Sequence, residues 1–212
     1  MILQALLHID TVLVDMLARY GIWTYALLFA IIFAETGFVV TPFLPGDSLL
    51  FAAGSLAALP HSPIKVQLLF VLLTLAAILG NKVNYAIGRA LGPRVFAYKK
   101  SWLFNPTHLQ EAHAFYEKHG RKTIVIARFL PIIRSFAPFV AGIGRMNLGV
   151  FSLYNALSGV AWVGSLLYTG FYFGQLPLIQ ANFTLVIYGI ILISLLPAII
   201  TALFNKKSKS CP

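Results

Sequence analysis

The chain has 212 residues, 59% of them hydrophobic and only 10% charged. A water-soluble domain carries about 25% charged residues. This one cannot cover itself in water, which excludes a secreted or cytosolic globular enzyme, a disordered regulator and a nucleic-acid-binding module. Lys and Arg total 16 against 6 Asp and Glu, a net charge of +10, read as positive-inside topology plus attraction to anionic headgroups rather than affinity for DNA. The single cysteine, Cys211, leaves no disulfide framework or multi-thiolate metal site within the chain. No signal peptide is expected, because no basic stretch precedes the first apolar run and His8, Asp10 and Asp15 interrupt it. The expected class is an all-α integral membrane protein, one domain over residues 1–212.

Residues 1–20 are apolar apart from Asp10 and a repeating polar set, Gln4, His8, Thr11, Asp15 and Arg19. Steps of three and four put all five on one helix face, so the segment is an interfacial amphipathic helix or a first helix with one face against protein. Residues 22–59 follow, with only Glu35 and Asp47 charged and with Pro42, Pro45 and Gly46 between those two. A span needs about 20 unbroken residues; breakers in mid-segment favour a re-entrant hairpin over two short spans. Residues 64–88 read as a transmembrane helix ending in a small-xxx-small step, Gly88 and Gly92.

Residues 89–122 are hydrophilic and basic, with Asn105-Pro106 opening a short surface helix. Residues 123–146 repeat the earlier oddity: an apolar segment with Pro131, Pro138 and Gly142 as breakers and Arg128 and Arg134 inside it. A second re-entrant hairpin is the expectation. Residues 148–174 form a span ending in Gly170 and Gly174, and 177–204 a final span before the basic tail, 205–212. The central loop and tail carry ten of the sixteen basic residues, so both are assigned to the cytoplasm.

The halves look related. Each opens on an aromatic or His beside Gly (Tyr20-Gly21, His119-Gly120). Each then has a broken segment with two like charges and an Ala-Gly pair (Ala53-Gly54, Ala141-Gly142), and each closes on a Gly-xxx-Gly span. The broken segments flank span 64–88, so they enter from opposite faces. The expected fold is an inverted-repeat, transporter-like bundle with two opposed re-entrant helical hairpins, its site near the midplane.

A charge at the bilayer centre costs about 2.5–3.5 kcal/mol, yet the chain puts Glu35 and Asp47 in one broken segment and Arg128 and Arg134 in the other. One account is a structural salt-bridge cluster pinning two hairpins, although buried pairs stabilise weakly. Asp47 also suits a plain cap on a helix beginning at Ser48. The sharper account divides the labour. Arginine's planar fork fits phosphate oxygens, so Arg128 and Arg134 would clamp a phosphate. Carboxylates in a poorly solvated cavity hold protons more readily than in water, so Glu35 and Asp47 would carry coupling protons. The five histidines lie scattered over surface segments without metal-ligand spacing, and no metal or cofactor is expected. Asn81, Lys82 and Asn84 read by default as packing and anchoring residues.

The motifs ETGFVVTPFLPGDSLLFAAG (35–54), GxxxNYxxGRxxG (Gly80 to Gly92) and RFLPIIRSFAPFVAGIGRMNLGVFSLYN (128–155), with the element Asn155, Gly159 and Trp162, resemble the DedA family over nearly the whole chain. These are bacterial inner-membrane proteins related to the VTT-domain lipid scramblases. The resemblance implies that Glu35, Asp47, Arg128 and Arg134 are the functional residues. It implies movement of undecaprenyl phosphate or of a phospholipid between leaflets, in support of envelope homeostasis. One departure is Asn81, where family sequences often carry Asp; it weakens the expectation of proton coupling.

The expected function is therefore a non-enzymatic transporter of a lipid phosphate, possessing no metal and no cofactor. Its partners are membrane lipids and protons, with homo-oligomerisation open and nucleic acid excluded. Two alternatives stay open: a proton-coupled exchanger of small ions or drugs, and a non-transporting membrane scaffold. An enzyme is disfavoured because no Ser/His/Asp set or metal-ligand cluster sits at membrane depth.

Overall fold

The computed structural model describes residues 22–38, 46–59, 62, 64–91, 120, 123–176 and 189. The expected amphipathic helix 1–20, the breakers Pro42 and Pro45, nearly all of the central basic loop and of the span 177–204, and the tail lie outside the described residues. All regular structure among the described residues is helical. Helix α1 is Trp23–Gly37 and α2 is Gly46–Ala57, the two limbs of the first broken segment. The long helix α3 is Val66–Leu91. In the second broken segment, α4 (Thr123–Ile126) runs into a 3₁₀ turn at Ala127–Phe129, followed by α5 (Pro131–Ile143) and the second long helix, α6 (Leu148–Phe173).

The breaks have local causes. Leu130 is extended, φ −115° and ψ 105°, as a residue before proline prefers, and Pro131 then opens α5 where its missing N–H costs nothing. Pro138 and Gly142, expected as further breakers, both lie inside α5. Gly142 instead permits contact: a Cβ there would overlap the Tyr85 carbonyl oxygen. Helix α5 ends in a Schellman pattern, with Met146 N–H donating to Ala141 O and Arg145 N–H to Gly142 O. Arg145 takes the left-handed position, φ 51°. Asn147 caps α6, its Oδ1 accepting from Gly149 N (2.9 Å) and Val150 N (3.2 Å).

Helices α3 and α6, of 26 residues each, are long and apolar enough to cross a membrane. On α3, Leu69, Leu73, Ala76, Gly80 and Asn84 are buried, while Leu68, Val71, Leu75 and Leu79 are exposed on the other side. Bare leucine on the outside suits hydrocarbon, not water. Helix α2 is buried nearly all round, as an element enclosed by others must be.

The packing crosses between the halves. Helix α2 packs chiefly on α6, and α5 on α3. In both crossings two glycines do the same job reciprocally. A Cβ on Gly54 would overlap Leu167 O, and one on Gly170 would overlap Phe51 O; a Cβ on Gly142 would overlap Tyr85 O, and one on Gly88 would overlap Phe139 O. Each glycine thus opposes the carbonyl of a residue three before its partner, which is how small residues bring membrane helices close. Asn84, fully buried, ties three helices together: its Nδ2 donates to Thr36 O (3.2 Å), at the end of α1, and to Ser135 O (2.8 Å) in α5. Thr36 O is one of the last carbonyls of its helix and has no intrahelical donor, so the amide satisfies it.

Candidate functional site

The four charges singled out from sequence all sit where a short helix begins or ends. Glu35 is in the last turn of α1, Asp47 in the first turn of α2, Arg128 in the 3₁₀ turn, and Arg134 in the first turn of α5. Helix α2 begins at Gly46, so Asp47 lies inside its first turn rather than ahead of it, where its charge also complements the helix dipole.

The structure brings Glu35, Asp47 and Arg134 into direct contact. Arg134 Nη2 donates to Glu35 Oε1 at 2.5 Å and Nη1 to Asp47 Oδ1 at 2.8 Å. One guanidinium therefore bridges two carboxylates from two different helices. Gly46 makes room for this: a Cβ there would overlap Glu35 Oε2 and stand 2.6 Å from Cδ.

Trp162, near the middle of α6, joins the cluster. Its Nε1 donates to Asp47 Oδ1 at 2.9 Å. Both guanidiniums lie over its ring, Arg134 Cζ at 5.0 Å and Arg128 Cζ at 5.3 Å from the centroid. An indole face so placed lowers the cost of two nearby cations away from water.

Arg128 is held differently. Its Nη1 donates to Asn155 Oδ1 (3.0 Å) and Ser158 Oγ (3.3 Å), both on α6. Asn155 Oδ1 also accepts from Asn81 Nδ2 (2.8 Å), and Asn155 Nδ2 donates to Ile78 O (3.0 Å). Glu35, Arg128 and Arg134 are 2%, 2% and 8% exposed and Asn155 is 0% exposed, so these contacts operate away from solvent. The arrangement can hold an anion and can exchange an ion pair for a proton. No group of three His, Cys, Asp or Glu that could hold a metal occurs among the described residues.

Sequence reasoning found the charges and missed what seats them. Asn81 and Asn84, expected by default as packing and anchoring residues, are both buried and hydrogen-bonded between helices. Asn155 and Trp162 enter from sequence as part of the family resemblance, without a role, and Ser158 carries no signal beyond its place on the buried face of α6, the face that also carries Gly159 and Gly170.

The chain matches the VTT domain over residues 44–172, a stretch that includes Asp47, Arg128, Arg134 and Trp162. It is 49% identical over 207 residues to Protein DedA of Escherichia coli K12, covering 98% of this chain and 94% of that protein. It is 42% identical over 172 residues to an uncharacterised membrane protein of Mycobacterium tuberculosis H37Rv, covering 81% and 75%. Inner membrane protein YqjA of Escherichia coli K12 is 38% identical over 155 residues, covering 72% and 69%. No solved structure matches.

Proposed function

The chain belongs to the VTT-domain, or DedA, family of membrane proteins, and from that premise we propose that it moves a lipid phosphate between leaflets, with guanidinium gripping the headgroup and protons on Glu35 and Asp47 gating it. Undecaprenyl phosphate is the leading substrate and a phospholipid the second. The role is transport rather than catalysis, and the partners are membrane lipids and protons. Its seat is the bacterial inner membrane, by analogy with the relative that carries that description, with the central basic loop and the C-terminus cytoplasmic.

The observation that carries the reading is the double occupation of Arg134 by Glu35 and Asp47 across two helices. A fork filled by two carboxylates cannot also hold a phosphate. Protonating either acid weakens its charge-assisted bond and opens a donor pair to an anionic headgroup, so proton entry and phosphate entry favour the same state. Buried ion pairs contribute little to stability against apolar replacements, which argues for a working rather than a structural cluster.

The helix lengths suit opposed re-entrant hairpins. At 1.5 Å per residue, the 15 residues of α1 and 12 of α2 rise about 22 and 18 Å, short of the roughly 30 Å hydrocarbon core. The reciprocal glycine crossings support two halves related as an inverted repeat, with the charges where the broken helices meet.

The test is translocation in proteoliposomes with a chemically trappable polyprenyl phosphate, with and without a pH gradient, beside Arg134→Ala and Glu35→Gln. Flux lost in Arg134→Ala and a gradient response lost in Glu35→Gln are the expected results. Folded wild-type protein with no flux above empty vesicles, for polyprenyl phosphate and phospholipid alike, would sink the proposal. The ion-exchanger and scaffold readings would then be left.

A further inference from the structure

Building on that transport reading, we infer that the oxyanion freed to meet Arg134 is also received by the Nε–Nη2 edge of Arg128, and that Asn81 and Asn155 form a neutral relay that keeps this edge charged and aimed. The two buried arginines are solvated by opposite means. Arg134 meets two carboxylates. Arg128 meets an amide oxygen and a hydroxyl, both uncharged, and both on Nη1. Its Nε and Nη2 have no hydrogen-bond partner among the described residues. Leaving charged donors buried and unpaired is costly, and the Nε–Nη2 pair is the side-on fork that takes two oxygens of a phosphate-type anion at once. On the Nη2 side stands Gly159, whose added Cβ would come 3.7 Å from the nitrogen, so no side chain of that residue covers the edge.

The relay explains why amides serve here. Ile78 O can only accept, so Asn155 must turn Nδ2 towards it and Oδ1 towards Arg128. Asn81 Nδ2 donates to the same Oδ1, which locks the amide against flipping. An aspartate at 155 would orient Arg128 as well, but its charge would cancel the one the anion needs. The ligand is thus a phosphate-type oxyanion, carried either on a lipid or as free phosphate.

The test uses the full chain in nanodiscs, titrated calorimetrically with farnesyl phosphate, with inorganic phosphate and with farnesol, beside thermal melts. Wild type is expected to bind farnesyl phosphate and not farnesol; inorganic phosphate binding as tightly assigns the source to free phosphate, and weaker binding assigns it to the lipid. Asn155→Asp is expected to lose affinity about tenfold or more, because an ion pair replaces a free charge. Asn155→Ala removes the acceptor shared by Arg128 Nη1 and Asn81 Nδ2 and the donor to Ile78 O yet keeps the charge, so it should melt lower than Asn155→Asp and bind more tightly. Opposite orders of affinity and stability are something a purely structural asparagine cannot produce. Affinity falling in step with the melting point, or Asn155→Asp binding like wild type, would overturn the inference. If neither variant folds, Arg128→Lys decides, since it keeps the charge and removes the edge: about a tenfold loss supports the site, and wild-type affinity refutes it. Altered binding without flux in any protein would fault the transport reading alone.

Discussion

Gly46→Ala places a methyl group against the shorter of the two ion pairs among the described residues. By helix propensity alone alanine is worth up to about 1 kcal/mol over glycine, so the naive expectation is a more stable α2. The site says otherwise. The new Cβ would overlap Glu35 Oε2 and stand 2.6 Å from Cδ, where ordinary contact begins at 3.4 Å, so the carboxylate must retreat by at least their difference, 0.8 Å. A retreat along the bond takes the 2.5 Å contact with Arg134 to the edge of hydrogen bonding. Losing one partner of a buried pair outright costs about 3–5 kcal/mol; partial withdrawal, offset by propensity, should leave a net loss of about 2 kcal/mol. In a chain of this size that lowers the melting temperature by roughly 4–8 °C. Glu35→Asp shortens the side chain by one methylene and, combined with Gly46→Ala, should recover about 1 kcal/mol of coupling in a double-mutant cycle. Thermal melts in detergent measure all four corners. A Gly46→Ala protein melting at or above wild type, with no coupling to Glu35→Asp, would show that the close approach at Gly46 does not position the carboxylate.

Arg145 holds a left-handed φ of 51°, so Arg145→Gly should raise stability by about 1 kcal/mol; an unchanged melting point would count against strain there. Gly170→Ala puts a methyl on the carbonyl of Phe51 and should push α2 and α6 apart at a cost of about 2 kcal/mol or more, visible as a lower melting point. Trp162→Phe keeps an aromatic face but removes the Nε1 bond to Asp47, an expected loss of about 1–2 kcal/mol. Its tryptophan fluorescence should fall as well, since only three tryptophans are present; wild-type stability would make that bond incidental.

Charges are conspicuous in an apolar sequence, which is why Glu35, Asp47, Arg128 and Arg134 could be named in advance. The end of α1 at Gly37, the start of α2 at Gly46 and the break at 130 were legible from Pro and Gly for the same reason. Less legible was the role of neutral polar groups, because Asn155 or Ser158 in a span is as often packing as function, and only the distances separate the two. The glycines show a different limit. Gly54, Gly88, Gly142 and Gly170 are all visible as small residues repeated in each half, yet nothing in one dimension says that each half's short helix crosses the other half's long one. Pro138 and Gly142 read as breakers in the sequence because both residue types usually are. Inside α5 the helix continues through both, and at Gly142 the missing Cβ admits the backbone of α3.

That exchange of partners has a consequence during synthesis. Glu35 is 99 residues ahead of Arg134, Asp47 is 87 ahead of it, and Asp47 precedes Trp162 by 115. At about 5–20 residues per second, the first broken segment waits roughly 5–20 s for the arginine that neutralises it and the indole that shelters it. Until then two acids and the close-packing surface of α2 stand in the membrane or the insertion machinery without their native neighbours. A chain interrupted after α3 would therefore be expected to turn over quickly, and translational pausing between residues 91 and 134 to lower yield more than the same pause after 173.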